Sequence, residues 1–351
     1  MVRVFLVLFL LCAIIYAIKE RCGSVRRIMA ILLAFGLLLC GCSTLNQPQM
    51  QDTQPIPVGI HNADPKEDNA LNVLFVSNST CYYFTDELMG LLNAAGYEDV
   101  TLALTYYSGC PIQKHHQWLL EGASNYQFRV LDKDGLHVYE GYSLEGALQF
   151  CNWDVISFDN NARSFSSGDV QTSLAQAEPY FGDLYARIKE KLPQSRYFWH
   201  EVWANEIGYK LAFEMKTVEQ RTQVYNAKKG VMDIMAEKYG LEKVPTGDAW
   251  EKVRDLPLFR TPHEAFPEAE QFTLCSRLAK GAFKDDFTHD GDIGGGQYLN
   301  ACVWFEVLTG SSCLGNAFRP AYDRNGVDCS LTEEKIGILQ KAAHEAVSAT
   351  R

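Results

Sequence analysis

The sequence predicts an α/β protein built as one doubly wound domain. Short apolar runs typical of buried parallel strands alternate with amphipathic helical segments, beginning at residues 71–77, LNVLFVS. Residues 126–142 instead alternate apolar and polar side chains around KDG, which predicts an inserted β-hairpin. No internal repeat or domain boundary follows residue 70. The expected architecture is a three-layer sandwich with a central, mostly parallel sheet.

Individual elements follow from local signals. Residues 85–96, TDELMGLLNAAG, combine an initial threonine cap with helical periodicity and a closing glycine, and residues 99–107 predict the second strand. The later expected elements are a short helix at 143–150, a strand at 153–159, a helix at about 174–191, a strand at 196–204, a helix at about 213–239, a short strand near Val244, and helices at 294–310 and 331–348. In such a sheet, active-site groups are expected at the carboxyl ends of the parallel strands.

Composition excludes some classes of function. The net charge of −11, with no basic block, argues against a nucleic-acid partner. Seven of the eleven cysteines lie beyond residue 42, an odd and unevenly spaced set that is not a disulfide framework and contains no zinc-type CxxC pair. At most one disulfide is expected, between Cys313 and Cys329. No metal or other cofactor is expected.

The N-terminal residues have the pattern of a secretory leader. Two apolar runs, 4–18 and 28–42, are each shorter than the roughly 20 residues that span a bilayer. The second run follows Arg26 and Arg27 and ends in small residues before a cysteine, as secretory signals do. Its last residues, LCGC, resemble the lipobox of bacterial lipoproteins, which implies lipidation at Cys42.

This leader suggests three parts of the chain. Residues 1–42 are expected to be the leader, within which 1–24 are interpreted as an extension upstream of the true start; an N-terminal membrane segment is the alternative. Residues 43–70, rich in Pro, Gln and Asp, are expected to form a flexible linker. Residues 71–351 form the predicted domain. The expected location is outside the cytoplasm, with a lipid anchor in a bacterial membrane.

Candidate chemistry lies where predicted strands end. The first strand runs into VSNST, so Ser79 lies on a strand-to-helix turn, where it could act as a nucleophile or simply cap the next helix. Gly109 follows the second strand and could bring a backbone N–H close to an oxyanion, or only permit a tight turn. Asn160 or Asn161 follows the third parallel strand and offers a side-chain donor, although asparagine is common in turns.

A late loop supplies an acid–base pair. In DFTH, Asp286 and His289 are three residues apart, so one loop can present both side chains. Histidine has an ordinary pKa near 6.5 and can act as a general base near neutral pH, and an aspartate on its other ring nitrogen would fix its tautomer. Asp285 is the alternative partner, but the spacing favours Asp286.

The order of these residues resembles the SGNH (GDSL-like) esterases, and more specifically an uncharacterised family of bacterial lipoproteins with an SGNH-like domain. The matching segments are VSNST (76–80), YSGCPIQKH (107–115), WDVI (153–156), WHEVWA (199–204), PTGDAW (245–250), DFTH (286–289) and GGQYLNACVWFEVLTG (295–310). The chain departs from the family pattern at Ser77, at Ser108 and in the run DNN at 159–161.

The resemblance implies a flavodoxin-like fold and a serine esterase that removes small acyl groups, including O-acetyl groups of carbohydrates. It implies Ser79, Asp286 and His289 as the triad. It implies the backbone N–H groups of Ser79 and Gly109, with the Asn160 amide, as the oxyanion hole. Further possible pocket residues are Asn78, His115, Asn161, His200 and Trp203, of which His200 is interpreted as a core or pocket-wall residue rather than a catalyst.

The competing hypothesis is a surface lipoprotein that binds carbohydrate and has kept the fold without the chemistry. The departures at Ser77, Ser108 and 159–161 favour it, whereas the presence of Ser79, Asp286 and His289 favours an enzyme. The expected partners are a small-molecule or glycan ester and the membrane, through the lipid anchor.

Overall fold

The computed structural model describes residues 69–159, 168–205, 215, 217–259, 276–279, 282–285, 294–322, 326 and 328–351, with only the backbone described within 276–285. All of them belong to one compact unit, Pro57–Arg351. The leader, the linker and four predicted site residues lie outside the described residues; those four are Asn160, Asn161, Asp286 and His289. Within the described ranges, no helix is long and apolar enough to cross a membrane.

A seven-stranded sheet in the order β4-β3-β2-β1-β5-β6-β7 forms the centre of the fold. The strands are β1 (Ala70–Val76), β2 (Asp99–Tyr106), β3 (Tyr126–Asp132), β4 (Gly135–Tyr142), β5 (Val155–Phe158), β6 (Arg196–His200) and β7 (Glu242–Val244). The β2-β1-β5-β6-β7 part is parallel, and the β3–β4 hairpin extends it with antiparallel pairing beyond β2. The predicted doubly wound sheet with an inserted hairpin is therefore confirmed.

Two short strands form a separate ladder that the sequence analysis did not predict. β8 (Ser276–Ala279) pairs antiparallel with β9 (Ala282–Asp285). The second strand ends one residue before Asp286, the predicted triad aspartate.

Eight helices flank the sheet in the part of the chain that the structure describes. They are α1 (Thr85–Ala94), α2 (Ile112–Glu121), α3 (Leu144–Gln149), α4 (Val170–Lys191), α5 (Val218–Tyr239), α6 (Thr246–Val253), α7 (Gly296–Thr309) and α8 (Glu333–Thr350). The predicted helices are all present, and α2 and α6 were missed. The predicted cap at Thr85 is wrong: Phe84 occupies the N-cap position of α1 without a side-chain cap, and the Thr85 hydroxyl donates to the Tyr82 carbonyl at 3.4 Å.

Apolar side chains bury both faces of the sheet. In β1, Leu71, Val73 and Phe75 pack into the cluster under α1, α6, α7 and α8, whereas Leu74 and Val76 pack into the opposite cluster under α2, α3, α4 and α5. This period-two division explains why the β1 sequence is continuously apolar rather than alternating. Each fully buried large apolar side chain stabilises the fold by about 2 kcal/mol. The core thus holds β1 rigidly in the middle of the sheet.

The predicted Cys313–Cys329 disulfide is wrong. Both residues are buried free thiols, and the Cys313 Sγ donates to the Gln340 carbonyl at 3.3 Å. A hydrogen bond with Cys302 and burial together raise the pKa of Cys313, so it remains a protonated thiol. Spacing in the sequence did not reveal that Cys313 faces α7 and α8.

Candidate active site

The proposed nucleophile lies at the carboxyl edge of β1, the middle strand of the sheet. After Val76 the chain forms a short 3-10 turn, Ser79–Cys81, which is capped by Asn78: its Oδ1 accepts from the Thr80 N–H at 3.1 Å. Ser79 is only partly buried, and its hydroxyl has no hydrogen bond to any described residue. The interpretation of Ser79 as a helix cap is therefore wrong, because Asn78 has that role and leaves the Ser79 hydroxyl free of it.

The turn after β2 lies beside this one. Gly109 has a φ of +62°, in the left-handed region that favours glycine, and the Cys110 N–H closes the turn on the Tyr107 carbonyl at 3.1 Å. The Asn78 Nδ2 donates to the Cys110 carbonyl at 3.4 Å. The structure thus brings the Ser79 turn and the Gly109 turn together at one edge of the sheet.

Asp159, directly after β5, is the central acceptor of this edge. It is 1% exposed. Its Oδ1 accepts from Asn78 Nδ2 at 2.9 Å, and its Oδ2 lies 2.5 Å from Ser77 Oγ, 3.1 Å from Thr80 Oγ1 and 3.4 Å from Cys81 Sγ. Every residue of 77–81 except Ser79 therefore directs its side chain to this carboxylate.

Asp159 is the site residue that sequence analysis missed. The run DNN after a strand is common turn chemistry, so only its neighbours distinguish it. The signal available was the polar run Ser77–Thr80 after one predicted strand and an acidic residue after another. Only the pairing of β1 with β5 makes these two runs adjacent.

His200 lies beneath the turn, at the end of β6. It is 1% exposed, and its Nδ1 lies 3.5 Å from Cys81 Sγ and 3.7 Å from Asp159 Oδ2, while its Nε2 lies 2.9 Å from Thr246 Oγ1. The Thr246 hydroxyl donates to the Glu201 carbonyl, so its oxygen accepts from the His200 Nε2–H.

Cys81, Asp159 and His200 form a buried Cys-Asp-His arrangement. Burial, followed by the nearby Asp159 charge, raises the pKa of the Cys81 thiol, which disfavours the nucleophilic thiolate. The three side chains place possible metal-ligand atoms within 4.8 Å of one another. Hydrogen bonds from Ser77 and Cys81 already occupy the Asp159 carboxylate, and His200 is held by Thr246, so the cluster is explained as a structural network. Its burial separates it from any substrate.

His115, a predicted pocket residue, is completely buried on α2. Its Nδ1 lies 2.9 Å from the Tyr126 hydroxyl and the two rings stack with centroids 5.5 Å apart. Burial lowers the pKa of His115 to about 4, against the opposing effects of Asp159 and of the Ser77 carbonyl. The ring is therefore neutral at pH 7 and supports the carboxyl edge from below.

The aromatic residues near Ser79 differ in burial from Trp203, a predicted pocket residue. Trp203 is fully buried and stacks on Trp250 with ring centroids 4.6 Å apart, so it belongs to the core. Tyr82 is partly exposed, lies 4.4 Å from the Tyr83 ring centroid, and carries the Arg129 guanidinium 4.0 Å above its ring. The aromatic surface next to Ser79 thus comes from the tyrosines rather than from the tryptophan.

Two buried ionisable side chains near this edge were not apparent from the sequence. Burial, followed by Asp248, raises the pKa of Glu201 well above its ordinary value, and its Oε2 accepts from the Asp248 N–H at 3.2 Å. Burial lowers the pKa of Lys228 on α5 to about 7. The sequence predicts an amphipathic helix here but does not indicate which of its polar residues is buried, so only the packing of α5 shows the burial of Lys228.

A cleft of about 710 Å³ lies away from Ser79. It is lined by Arg196 and Glu242, the first residues of β6 and β7, and by residues at the ends of α7 and α8 such as Leu308 and Arg351. It therefore opens towards the amino edge of the sheet, opposite to the candidate site.

The geometry can be compared with known proteins. Residues 73–247 match the model of DUF4886, a domain of unknown function. A crystal structure of a DUF4886 family protein from Bacteroides uniformis is similar over 80% of this chain and 95% of that chain, with 21% sequence identity and a TM-score of 0.58. At this identity the likeness shows the fold.

Two further solved structures are only weakly similar to this chain, with TM-scores below 0.5. A catalytic mutant of an acetylxylan esterase from Geobacillus stearothermophilus shows 11% identity and a TM-score of 0.43, covering 69% of this chain and 96% of that one. A lipase from Streptomyces rimosus shows 12% identity and a TM-score of 0.38, covering 69% and 99%. No curated protein shows significant similarity in sequence. By sequence, residues 73–247 therefore carry a DUF4886 domain, and the solved structure of a family member shows a similar fold.

Proposed function

We propose that this protein is a serine hydrolase of the SGNH type that cleaves small acyl esters, with Ser79 as the nucleophile. One observation carries the proposal. Within Ser77–Cys81, Ser79 alone keeps its side chain out of the Asp159 network; the residue is partly exposed, and its hydroxyl has no hydrogen bond to the described residues. A hydroxyl held at the open carboxyl edge of a parallel sheet is placed for attack on a ligand.

The proposed reaction is acyl transfer to serine and then to water. Ser79 Oγ attacks the ester carbonyl carbon while His289 takes its proton and Asp286 orients the imidazole. The N–H groups of Ser79 and Gly109, with the Asn160 side chain, hold the oxyanion; Asn161 is the alternative donor. His289 then protonates the leaving alcohol, and a water activated by the same histidine releases the acid.

The proposed substrate is an O-acetylated carbohydrate. The support is the resemblance to SGNH acetylesterases together with the partly exposed Tyr82 and Tyr83 beside the Ser79 turn, since aromatic rings stack on sugars. We further propose that Cys42 is lipidated and that the domain acts outside the cytoplasm on a bacterial membrane. The support for this location is the lipobox-like LCGC at 39–42.

A fluorophosphonate probe and p-nitrophenyl acetate test the nucleophile on the purified full-length chain. Wild type should be labelled and active, and Ser79→Ala should lose labelling and roughly a thousandfold or more in kcat. Ser108→Ala is the matched control, because Ser108 is an exposed serine on the neighbouring turn. Unlabelled wild type, or labelling that persists in Ser79→Ala, would contradict the proposal and favour the carbohydrate-binding alternative.

The pH dependence of kcat/KM tests whether His289 is the general base. Protonation of His289 removes the proton acceptor, so kcat/KM should fall about tenfold per pH unit below the ordinary histidine pKa near 6.5. The measurement is kcat/KM for p-nitrophenyl acetate from pH 5 to pH 8. A flat profile over this range would eliminate His289 as the base.

A further inference from the structure

The Asp159 carboxylate connects the two sides of the Ser79 turn. It takes donors from two residues before Ser79 and from two after it, across a sequence separation of 78 to 82 residues. Hydrogen bonds to an ionised acceptor are about twice as strong as neutral ones. A single buried charge thereby holds both sides of the turn while leaving its middle residue outward.

The partners within the turn also hold each other. Thr80 Oγ1 lies 2.6 Å from Asn78 Oδ1 and 3.1 Å from Asp159 Oδ2, so one hydroxyl proton is shared between the two acceptors. Asn78 Oδ1 also receives the Thr80 backbone N–H. Because Asn78 is itself tied to Asp159 Oδ1 and to the Cys110 carbonyl, the Ser79 turn is fixed relative to the Gly109 turn.

The underside of the network is closed by His200. Its ring lies against Cys81 Sγ and Asp159 Oδ2 and is tied to Thr246, while Phe84 and Trp304 contact it at centroid distances of 6.1 and 5.3 Å. The side chain of Asp159 is therefore packed from below, as well as bonded from above. Neither oxygen of Asp159 is directed to the solvent.

We infer that Asp159 is the positioning residue of the active site, which aligns the Ser79 hydroxyl and its backbone N–H with the Gly109 N–H. This inference rests on the proposed function of Ser79. A displacement of about 1 Å in a reacting group can cost about a hundredfold in rate. Loss of the carboxylate should therefore reduce kcat while KM changes little, because Asp159 is buried and touches no substrate.

The test compares Asp159→Asn with Asp154→Asn. Asp154 is the matched control: it lies at the other end of β5, and its Oδ2 accepts from the Asn72 N–H of β1 at 2.7 Å. We expect kcat for p-nitrophenyl acetate to fall about a hundredfold in Asp159→Asn with KM nearly unchanged. Asp154→Asn should stay within about threefold of wild type.

Cys81 provides a readout that does not depend on activity. In wild type it is buried, and it should resist alkylation by iodoacetamide under native conditions. In Asp159→Asn, local opening of the turn should raise the alkylation rate of Cys81, measured by peptide mass spectrometry, about tenfold or more. Cys302 and Cys313, which are buried and lie outside the Asp159 network, should remain protected, because exposure of all three cysteines would indicate global unfolding instead.

The outcomes separate the two proposals. An inactive, unlabelled wild type would overturn the function of Ser79, while the change in Cys81 alkylation would still show whether Asp159 holds the turn. An Asp159→Asn variant with unchanged kcat and a protected Cys81 would overturn the positioning role. If Asp159→Asn does not fold, Ser77→Ala decides, since it removes the 2.5 Å contact with Asp159 and leaves the carboxylate in place. We expect it to lower kcat about tenfold; unchanged kcat and Cys81 protection would contradict the inference.

Discussion

The two edges of the central sheet hold polar groups in opposite ways. At the carboxyl edge, Asp159 and His200 are both 1% exposed, and Asp159 is linked to the Ser79 turn by hydrogen bonds of 2.5 and 2.9 Å. At the amino edge, Arg196 forms a bidentate pair with Glu242 at 2.8 and 2.6 Å, but the side chains are 40% and 46% exposed. The same strands therefore carry a buried network at one end and solvated ion pairs at the other.

The polar contacts at the two edges have different effects on the structure: those at the carboxyl edge fix its geometry, whereas those at the amino edge stay solvated. A buried carboxylate costs free energy to desolvate and is retained only with several donors, so changing it disturbs everything that it holds. An exposed ion pair gains little, because water competes for both partners. The carboxyl edge is thus the part of the sheet whose geometry is determined by specific contacts, as a reaction centre requires.

The largest expected effect on stability is that of Asp159→Ala. It leaves the Ser77, Asn78 and Cys81 donors without their acceptor in the core, which should lower the free energy of unfolding by about 3 kcal/mol. Asp154→Ala, at the amino end of the same strand, should cost about 1 kcal/mol. Urea unfolding followed by tryptophan fluorescence measures both. Equal losses would show that the edges do not differ.

An intermediate effect is expected from the pH dependence that His115 produces. Its folded pKa of about 4 lies below the ordinary 6.5, so between these values the unfolded chain binds a proton that the folded chain does not. The contribution of neutral His115 to the free energy of unfolding is fully present above about pH 6.5 and decreases as the pH falls towards 4. Between pH 7 and pH 5 the loss should be about 2 kcal/mol.

The variant His115→Gln should remove this contribution from the pH dependence of unfolding. His137→Gln is the control, because the His137 side chain is 42% exposed and lies beside Asp132. Urea unfolding at both pH values measures the difference. If His115→Gln loses as much stability between pH 7 and pH 5 as wild type does, His115 is not the source of this pH dependence.

The smallest effect is expected at the amino edge. Glu242→Gln removes one charge of the exposed pair with Arg196 and should lower stability by about 0.5 kcal/mol at low salt. The difference should shrink further at about 1 M salt, where screening is strong. Unfolding in urea at the two salt concentrations measures it. A loss as large as that of Asp159→Ala would remove the distinction between the edges.

Much of the fold could be predicted because its signals are local. Continuous apolar runs identified β1 and β5 as strands buried on both faces, and the alternation around KDG identified the β3–β4 hairpin. Helix α6 was missed because PTGDAW, with a proline and a glycine among its first residues, has no clear helical pattern, although Trp250 packs into the core. The predicted disulfide was wrong because the surroundings of Cys313 depend on the packing of α7 against α8.

The candidate site was predicted only in outline. By itself, the sequence determined that Ser79 and Gly109 follow successive parallel strands, because strand ends are set by local pattern. It did not determine which of the neighbouring polar residues turn inward. That choice was made by the tertiary structure: β5 pairs with β1, so Asp159 meets a turn about 80 residues away and binds every side chain of it except that of Ser79. The physical reason is that a buried carboxylate must find donors, and strand order decides which ones are near.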